Sequence, residues 1–303
     1  MFVTNGFFMS INSFLNYLKY ERKYSKHTIT AYENDLVTFK SFYKKEYNCN
    51  NIDQVNYSEI RTWIVYLVNS GVSNRSINRK VSSLKSFYRF LQKTKVIEVS
   101  PLFKHKALKV LKQVQVPFSE KEILSVLQNL DKELDFESVR DKLIVELFYS
   151  TGIRRSELIH IKVSDIDYSN ETVKVLGKRN KERFIPLLKS VLETLRKYME
   201  FREVINTNQS YLFLTKKGKI IYDTLVYRVI NNYFSKVSSK VKKSPHIIRH
   251  SFATHLLNEG ADLNSVKELL GHSSLASTQV YTHSSMGKLK EIYNQAHPRG
   301  EKN

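Results

Sequence analysis

Four residues near the end of the chain carry side chains suited to reactions at a phosphate ester: His246, Arg249, His272 and Tyr281. A guanidinium group pairs with phosphate oxygens, an imidazole transfers protons, and a phenol can attack as a nucleophile. Each residue alone has a simpler interpretation. A lone histidine is usually structural, an arginine on a basic protein is usually a solvated charge or a phosphate contact, and one tyrosine among 18 is usually a packing residue. Only their combination and spacing can distinguish a catalytic site.

Two helices are predicted to position this set. The proline before His246 suits a first helical turn, where its missing N–H costs nothing, and Arg249 lies on the same helix face at i, i+3. A second helix is predicted to begin after Asp262 as N-cap and to end at Gly271, the residue type that best tolerates a left-handed C-terminal position. We therefore expect His272 to lie just past a helix end.

A zinc site is the alternative for His246 and His250, which lie four residues apart on the first of these helices. The glutamate of a zinc-protease motif does not follow the first histidine, and the sequence shows no further cluster of ligands. We therefore predict that the protein holds no metal.

Three segments near the C-terminus form one pattern: H-x-x-R-H at 246–250, L-G-H at 270–272, and Tyr281 nine residues after the last histidine. This pattern resembles the C-terminal motif of the tyrosine recombinase (phage integrase) family. The first motif of that family is matched upstream, since YSTGIRRSEL at 149–158 resembles the segment whose catalytic arginine is here Arg154.

A hairpin between these two motifs supplies a further residue. The sequence VKVLGKRNKERFIPL at 173–187 is similar to the family's β-hairpin, whose turn carries a catalytic lysine, here Lys178 by its position after the glycine. The matches occur in the family's order over roughly half the chain, so the resemblance is specific. It implies a catalytic set of Arg154, Lys178, His246, Arg249, His272 and Tyr281.

The chemistry of DNA strand cleavage calls for these residue types. Cleavage places extra negative charge on the non-bridging oxygens of a pentacoordinate phosphorus, which the rigid guanidinium forks of Arg154 and Arg249 match better than a lysine would. His272 can donate a further hydrogen bond to those oxygens. A free phenol has a pKa of about 10, so Tyr281 must lose its proton as it attacks.

The resemblance implies the remaining roles and the absence of cofactors. Tyr281 is the nucleophile, His246 acts as a base or positions the phosphate, and Lys178 protonates the leaving 5′ oxygen. The product is a covalent 3′-phosphotyrosine that conserves the energy of the broken bond, so a second DNA end can attack it. We therefore predict a reaction that needs no ATP, no metal and no other cofactor.

Composition predicts a globular protein with a polyanionic partner in a reducing compartment, and the resemblance implies a cytoplasmic DNA-binding protein. The 303 residues are 41% hydrophobic and 26% charged, a globular composition long enough for two cores. The net charge of +20 predicts a polyanionic partner, which the resemblance identifies as double-stranded DNA. The single cysteine, Cys49, excludes an intrachain disulfide framework and fits a reducing cytosol. No apolar run approaches the roughly 20 residues that span a bilayer, and the first residues lack the features of a signal peptide.

The predicted fold is mainly α with a small β-sheet in the catalytic domain. The predicted segments are a disordered or non-native start at 1–9, an all-helical N-terminal core-binding (SAM-like) domain at 10–95, a linker at 96–117, a tyrosine-recombinase catalytic domain at 118–285, and a C-terminal tail at 286–303 with a helix for subunit exchange. Met9 could be the original first residue. The N-terminal segment resembles the family's four-helix core-binding domain more weakly than the motifs downstream.

Local patterns locate the elements of both domains. Apolar residues recur at helical spacing at 26–46, with Ser25 as N-cap, and at 57–70 and 74–92. The second domain is predicted to contain helices at 119–130, 137–150, 187–204 and 222–238 and strands at 172–176, 183–187 and 211–215. Residues 1–115 carry 19 Lys and Arg against 7 Asp and Glu, whereas the rest carries 30 against 22, which favours a DNA-facing surface on the first domain.

Within the family, the resemblance is closest to Xer-type recombinases, because of the domain sizes, the short loops and the sequence KLKEIYNQAHPRG at 288–300. It implies resolution of chromosome dimers at cell division by a homotetramer, or by a heterotetramer with a paralogous recombinase, on two DNA sites. A DNA translocase at the division septum is a further implied partner. The alternative is a mobile-element integrase or resolvase with the same chemistry, although we expect no arm-binding domain here.

Two other functions were compared with recombination. A type IB topoisomerase-like nicking–closing enzyme would use the same residues, but a tail suited to subunit exchange argues for recombination. A non-catalytic DNA-binding protein should have lost a catalytic residue, and none of the six is missing. Arg155, next to Arg154, could contact a phosphate or face solvent, and the target DNA sequence depends on base contacts that the sequence does not predict.

Overall fold

The computed structural model describes residues 9–111, 115–132, 134–177, 181–205, 208–271, 293 and 295–300. The chain divides into two compact units, Met1–Gln113 and Val114–Asn303. The architecture is mainly helical with one small antiparallel sheet, which confirms the predicted fold class. Over the described ranges, no helix is both long enough and apolar enough to cross a bilayer. Of the predicted start at 1–9, only Met9 is described, and the first helix begins there.

The first unit is a helical domain with its own apolar core. Its elements are α1 (Met9–Asn16), continued by a π-helical turn (Tyr17–Glu21), α2 (Lys26–Tyr47), α3 (Tyr57–Asn69) and α4 (Asn74–Lys93). The largest buried side chains of its core are Phe14, Phe39, Trp63, Phe87 and Tyr88. The three longer helices confirm the predicted ones closely, because serine or asparagine N-caps mark where each begins.

A buried carboxylate joins two helices of this unit. Asp35 on α2 is 1% exposed, and it accepts hydrogen bonds from Arg79 at 2.9 Å, Lys80 at 3.2 Å and Ser83 at 2.8 Å, all on α4. Burying a carboxylate without partners would be costly, so this network fixes the position of α2 against α4.

The segment predicted as a linker, 96–117, begins on the first unit. Leu102 is fully buried in that unit's core. The side-chain amide of Asn78 on α4 donates to the carbonyl of Leu108 and accepts from its N–H, both at 2.9 Å. Residues up to Leu108 thus pack with the first unit, and the stretch left to tether the two units is shorter than 96–117.

The second unit combines helices with a three-stranded antiparallel sheet in the order β1-β2-β3. Its elements are α5 (Glu120–Leu130), α6 (Phe136–Thr151), α7 (Arg155–Ile159), β1 (Ile166–Asp167), β2 (Thr172–Leu176), β3 (Glu182–Pro186), α8 (Lys189–Glu203), α9 (Asp223–Ser235), α10 (Pro245–Asn258) and α11 (Leu263–Leu270). A capping box of Ser119 and Glu122 begins α5.

Helix α6 lies at the centre of the second core. It is buried along nearly its whole length, and it ends at Gly152, whose φ of 57° is left-handed. A Cβ atom at Gly152 would lie 2.4 Å from the Phe252 ring on α10 and 2.7 Å from Leu270 on α11. This close fit brings the segment that begins with Arg154 against both of those helices.

The predicted strand at 211–215 is wrong. Tyr211 and Leu214 form only isolated bridges, with Lys162 and Ile220. The buried Tyr198 hydroxyl donates to the carbonyl of Leu212 at 3.2 Å and accepts from the N–H of Leu214 at 3.0 Å. A side chain on α8 therefore takes backbone partners that a neighbouring strand would otherwise supply.

Candidate active site

Three of the six predicted catalytic residues lie in the described part of the chain: Arg154, His246 and Arg249. The other three, Lys178, His272 and Tyr281, lie outside it. The structure brings Arg154 and Arg249 to the end of α11, where Gly271 directly precedes His272.

Arg154 immediately precedes α7 and is held by the first turn of that helix. Its backbone N–H donates to Glu157 Oε2 at 2.8 Å, and its Nη1 donates to Glu157 Oε1 at 2.7 Å. Its Nη2 reaches the carbonyl of Gly271 at 3.3 Å. The side chain is nevertheless 37% exposed, so the guanidinium is oriented by protein on one side and accessible to a phosphate.

Arg249 is buried on α10 and is bound by backbone carbonyls. Its Nη1 donates to the carbonyl of Gly152, and its Nη2 donates to that of Leu270 at 2.7 Å. Burial, followed by the positive charges of Arg154 and Arg183, lowers the pKa of Arg249 to about 10 against the opposing effect of Glu157. The guanidinium remains charged at neutral pH, as binding a phosphate requires.

His246 lies on the first turn of α10, three residues before Arg249, and is exposed to solvent. His250, the other half of the rejected zinc pair, is also exposed on that helix. Among the residues that the structure describes, no group of three or more His, Cys, Asp or Glu side chains comes together as a metal site would require.

Two buried charged residues of the site, Glu157 and Arg183, were not among the residues predicted from the sequence. Glu157 is 5% exposed and Arg183 is 6% exposed, and they form a bidentate pair at 3.1 and 2.9 Å. Burial would raise the pKa of Glu157, but the hydrogen bonds and charge of Arg183 and the hydrogen bonds of Arg154 lower it. Arg183 and Ile185 lie two residues apart on the same, inward face of β3. A charged side chain on the inward face of a strand indicates that it has a buried partner.

Three arginines bind three consecutive carbonyls at the C-terminal end of α11. Arg183 Nε donates to Leu269 O at 3.1 Å, while Arg249 and Arg154 donate to the next two carbonyls, of Leu270 and Gly271. The last carbonyls of a helix have no intrahelical partner and carry partial negative charge, so they are natural acceptors for cations. Two of these arginines, Arg154 and Arg183, also pair with the carboxylate of Glu157.

Arg155, whose role the sequence left open, binds within the second unit. Its Nε donates to Asp223 Oδ1, in the first turn of α9, at 2.6 Å. Both side chains are largely exposed, so the pair contributes little stability, about 0–1 kcal/mol. Arg155 therefore points to α9 and not to the arginines around Glu157.

The described part of the tail packs on its own unit. Tyr293 and Ala296, two apolar residues of the predicted tail, are buried in the second core, and the Tyr293 hydroxyl donates to Ser150 O at 2.8 Å. His297 is also buried, which lowers its pKa to about 4, and it lies 3.2 Å from Tyr149 O. Two further apolar residues of the tail, Leu289 and Ile292, lie outside the described residues.

The sequence matches two family models that together span most of the chain. Residues 93–288 match the phage integrase family, and residues 11–95 match the phage integrase N-terminal SAM-like domain. The tyrosine recombinase XerC of Chlorobaculum parvum is 38% identical over 95% of this chain and 94% of its own length. That of Staphylococcus carnosus is 38% identical, over 96% of this chain and 97% of its own length.

Solved structures share the fold at lower identity. The Tn1549 transposon integrase in complex with circular intermediate DNA is 20% identical, with a TM-score of 0.71 over 92% of this chain and 98% of that chain. The XerH site-specific recombinase bound to its difH substrate is 22% identical, with a TM-score of 0.68 over 93% of this chain and 84% of that chain.

Proposed function

Because the chain belongs to the phage integrase family of tyrosine recombinases, we propose that it resolves chromosome dimers into monomers at cell division. The protein is a site-specific DNA recombinase that cuts and rejoins strands through a tyrosine. The observation that carries the proposed site is that Arg154 and Arg249 bind consecutive carbonyls, those of Gly271 and Leu270. Two guanidinium groups held side by side in this way suit the two non-bridging oxygens of one phosphate.

In the proposed reaction, the Tyr281 oxygen loses its proton and attacks the scissile phosphorus opposite the 5′ oxygen. Arg154 and Arg249 bind the non-bridging oxygens, and His272 donates a further hydrogen bond to them. Lys178 protonates the 5′ oxygen as its bond to phosphorus breaks, which leaves a 3′-phosphotyrosine and a 5′ hydroxyl.

The second step reverses the first with a different DNA end. A 5′ hydroxyl from the partner site attacks the phosphotyrosine, releases the phenol and restores a phosphodiester. One bond is exchanged for an equivalent one, so no ATP is consumed. His246, exposed on the first turn of α10, acts in these steps as a base or by positioning the phosphate.

The proposed assembly is a tetramer on two DNA sites in the cytoplasm. It contains either four copies of this chain or two copies with two of a paralogous recombinase, and a DNA translocase at the division septum is the further partner. We propose that the tail at 286–303 moves from its own unit to a neighbouring subunit when the tetramer forms. A head-to-tail exchange of this kind closes into a ring.

The test is covalent trapping on chromosomal DNA. The protein is expressed, denatured rapidly, and purified with any attached DNA, whose ends are then sequenced. The matched control is Tyr281→Phe, which removes only the phenolic oxygen. We expect attachment at one recurrent chromosomal sequence with the unaltered protein and none with the variant.

Three outcomes would contradict the proposal. Attachment that persists in Tyr281→Phe would place the nucleophile elsewhere. Attached ends confined to a mobile element would indicate an integrase or resolvase in place of a chromosome-dimer resolvase. Relaxation of supercoiled DNA that lacks the recovered site would indicate a topoisomerase-like activity.

A further inference from the structure

We propose that Arg183 is a positioning residue for catalysis, which couples the β2–β3 hairpin to the phosphate-binding arginine Arg154 and to the end of α11. The inference depends on the catalytic roles proposed above for Arg154 and for Lys178 in the hairpin turn. Arg183 does not itself reach the substrate, because it is buried and its guanidinium binds protein atoms.

Arg183 lies on β3 near the end of the hairpin. It pairs with Val175 across the ladder between β2 and β3. The turn is closed just beyond that pair, where the N–H of Gly177 donates to Lys181 O at 2.7 Å, and Lys178 follows Gly177 directly. An anchor at Arg183 therefore fixes the base of the turn that carries the proposed general acid.

The carboxylate of Glu157 is shared evenly between two arginines. Its Oε1 accepts from Arg154 Nη1 at 2.7 Å and from Arg183 Nη1 at 3.1 Å. Its Oε2 accepts from the Arg154 N–H at 2.8 Å and from Arg183 Nη2 at 2.9 Å. Because the fork of Arg183 sets the plane of the carboxylate, it also sets the direction in which Glu157 holds Arg154.

The third contact of Arg183 reaches the end of α11. Its Nε donates to Leu269 O at 3.1 Å, and a Cβ atom at Gly271 would lie 3.0 Å from its Cζ. The φ of Gly271 is +62°, a conformation that favours glycine, so the close approach and the left-handed turn coincide there. His272 follows Gly271 directly in the sequence. The Arg183 guanidinium therefore contacts Glu157, which holds Arg154, and the end of α11, which precedes His272. Arg183 also lies in the hairpin whose turn carries Lys178.

The contacts of Arg183 fix the orientation of the groups that it binds. A buried ion pair is often no more stabilising than well-packed apolar side chains, whereas its geometry fixes orientation. Supporting residues behind a reactive group affect rate because small displacements of that group matter, and a shift of about 1 Å can reduce a rate by about 10²-fold.

The test compares Arg183→Met with Arg202→Met in the full-length protein. Arg202 is a matched control because it also binds backbone carbonyls of the second unit, those of Leu212 and Tyr211, without contacting the arginines around Glu157. The DNA probe is the chromosomal site recovered by covalent trapping. Single-turnover cleavage, DNA affinity and thermal unfolding are measured at a temperature where each variant is folded.

For Arg183→Met we expect cleavage to fall by about 10²-fold with DNA affinity within about threefold of the original, because the loss is one of positioning. Arg183→Lys should recover little, since an ammonium cannot replace the two-pronged contact. Arg202→Met should lower the unfolding temperature but leave the cleavage rate unchanged. Combining Arg183→Met with Glu157→Gln should slow cleavage little more than either change alone, because both changes disrupt the same Arg183–Glu157 contact.

The outcomes separate this inference from the proposed function. If the unaltered protein forms no covalent complex, the proposed function fails. If the unaltered protein cleaves and folded Arg183→Met cleaves equally well, Arg183 has no positioning role. If the losses from Arg183→Met and Glu157→Gln multiply, Arg183 does not act through Glu157.

Discussion

Gly152→Ala tests whether the close fit at the end of α6 holds the arginines in place. The change adds one methyl group where φ is +57° and where Phe252 and Leu270 would lie 2.4 and 2.7 Å away. The left-handed conformation costs an alanine about 1–2 kcal/mol. Overpacking of a buried site costs about 1–3 kcal/mol more. We therefore expect the free energy of unfolding to fall by about 2–5 kcal/mol.

Gly260→Ala separates these two contributions. Gly260 lies just after α10 with a φ of +91°, and a Cβ atom there would have no neighbour within 4 Å. This control should therefore show only the conformational cost, about 1–2 kcal/mol. The difference between the two variants measures the steric conflict at Gly152.

Activity should separate the two variants further. The carbonyl of Gly152 accepts a hydrogen bond from Arg249 Nη1, so a displaced backbone at Gly152 moves this guanidinium. We expect about 10²-fold slower cleavage for folded Gly152→Ala and an unchanged rate for Gly260→Ala. Urea unfolding and single-turnover cleavage are the measurements. Equal losses of stability in the two variants, or full activity in Gly152→Ala, would refute the reasoning.

Four further predictions concern the reaction and the assembly. Arg154→Ala or Arg249→Ala should slow cleavage by about 10²-fold or more and weaken DNA binding far less. Equal losses in gel-shift and cleavage assays would mean that these arginines only contact the DNA backbone to bind it. A 5′-bridging sulfur in the DNA should restore cleavage by Lys178→Ala, because a thiolate leaves without a proton, and no restoration would mean that the lysine only positions the hairpin. Affinity should fall with salt with a log–log slope of about −0.9 per phosphate contacted, and a flat titration would contradict extensive phosphate contact. Deletion of 286–303 should preserve binding to one site but impair synapsis of two, and full-rate recombination by the truncated protein would favour a tail that stays on its own unit.

The helices were predictable because their signals are local. Ser119 and Glu122 mark the start of α5 within four residues of sequence, and the structure forms both hydrogen bonds of that capping box. Asp262 and Gly271 mark the two ends of α11 in the same way. Periodic apolar residues then show which face of each helix is buried, without knowledge of what covers it.

Features that depend on distant partners were not predictable. The segment 211–215 is apolar enough for a strand, but its backbone is bound by the Tyr198 hydroxyl from another element. The inward position of Arg183 on β3 could have been inferred because it lies two residues from the apolar Ile185 and therefore on the same face of the strand. Its partner could not, because Glu157 comes from a helix whose position against the sheet depends on the whole core.

The end of α11 explains how three cations can be held close together in a buried site. Arg154, Arg183 and Arg249 repel one another, and a second carboxylate would relieve the repulsion but would also repel the phosphate. The carbonyls of a helix C-terminus carry only partial charge, so they bind the guanidinium groups without cancelling them. Within the described part of the chain, Glu157 is the carboxylate that pairs with Arg154 and Arg183, so a net positive charge remains on these arginines for the DNA backbone. Because all three arginines donate to carbonyls at this end of α11, their positions depend on the packing of α11 in the second core.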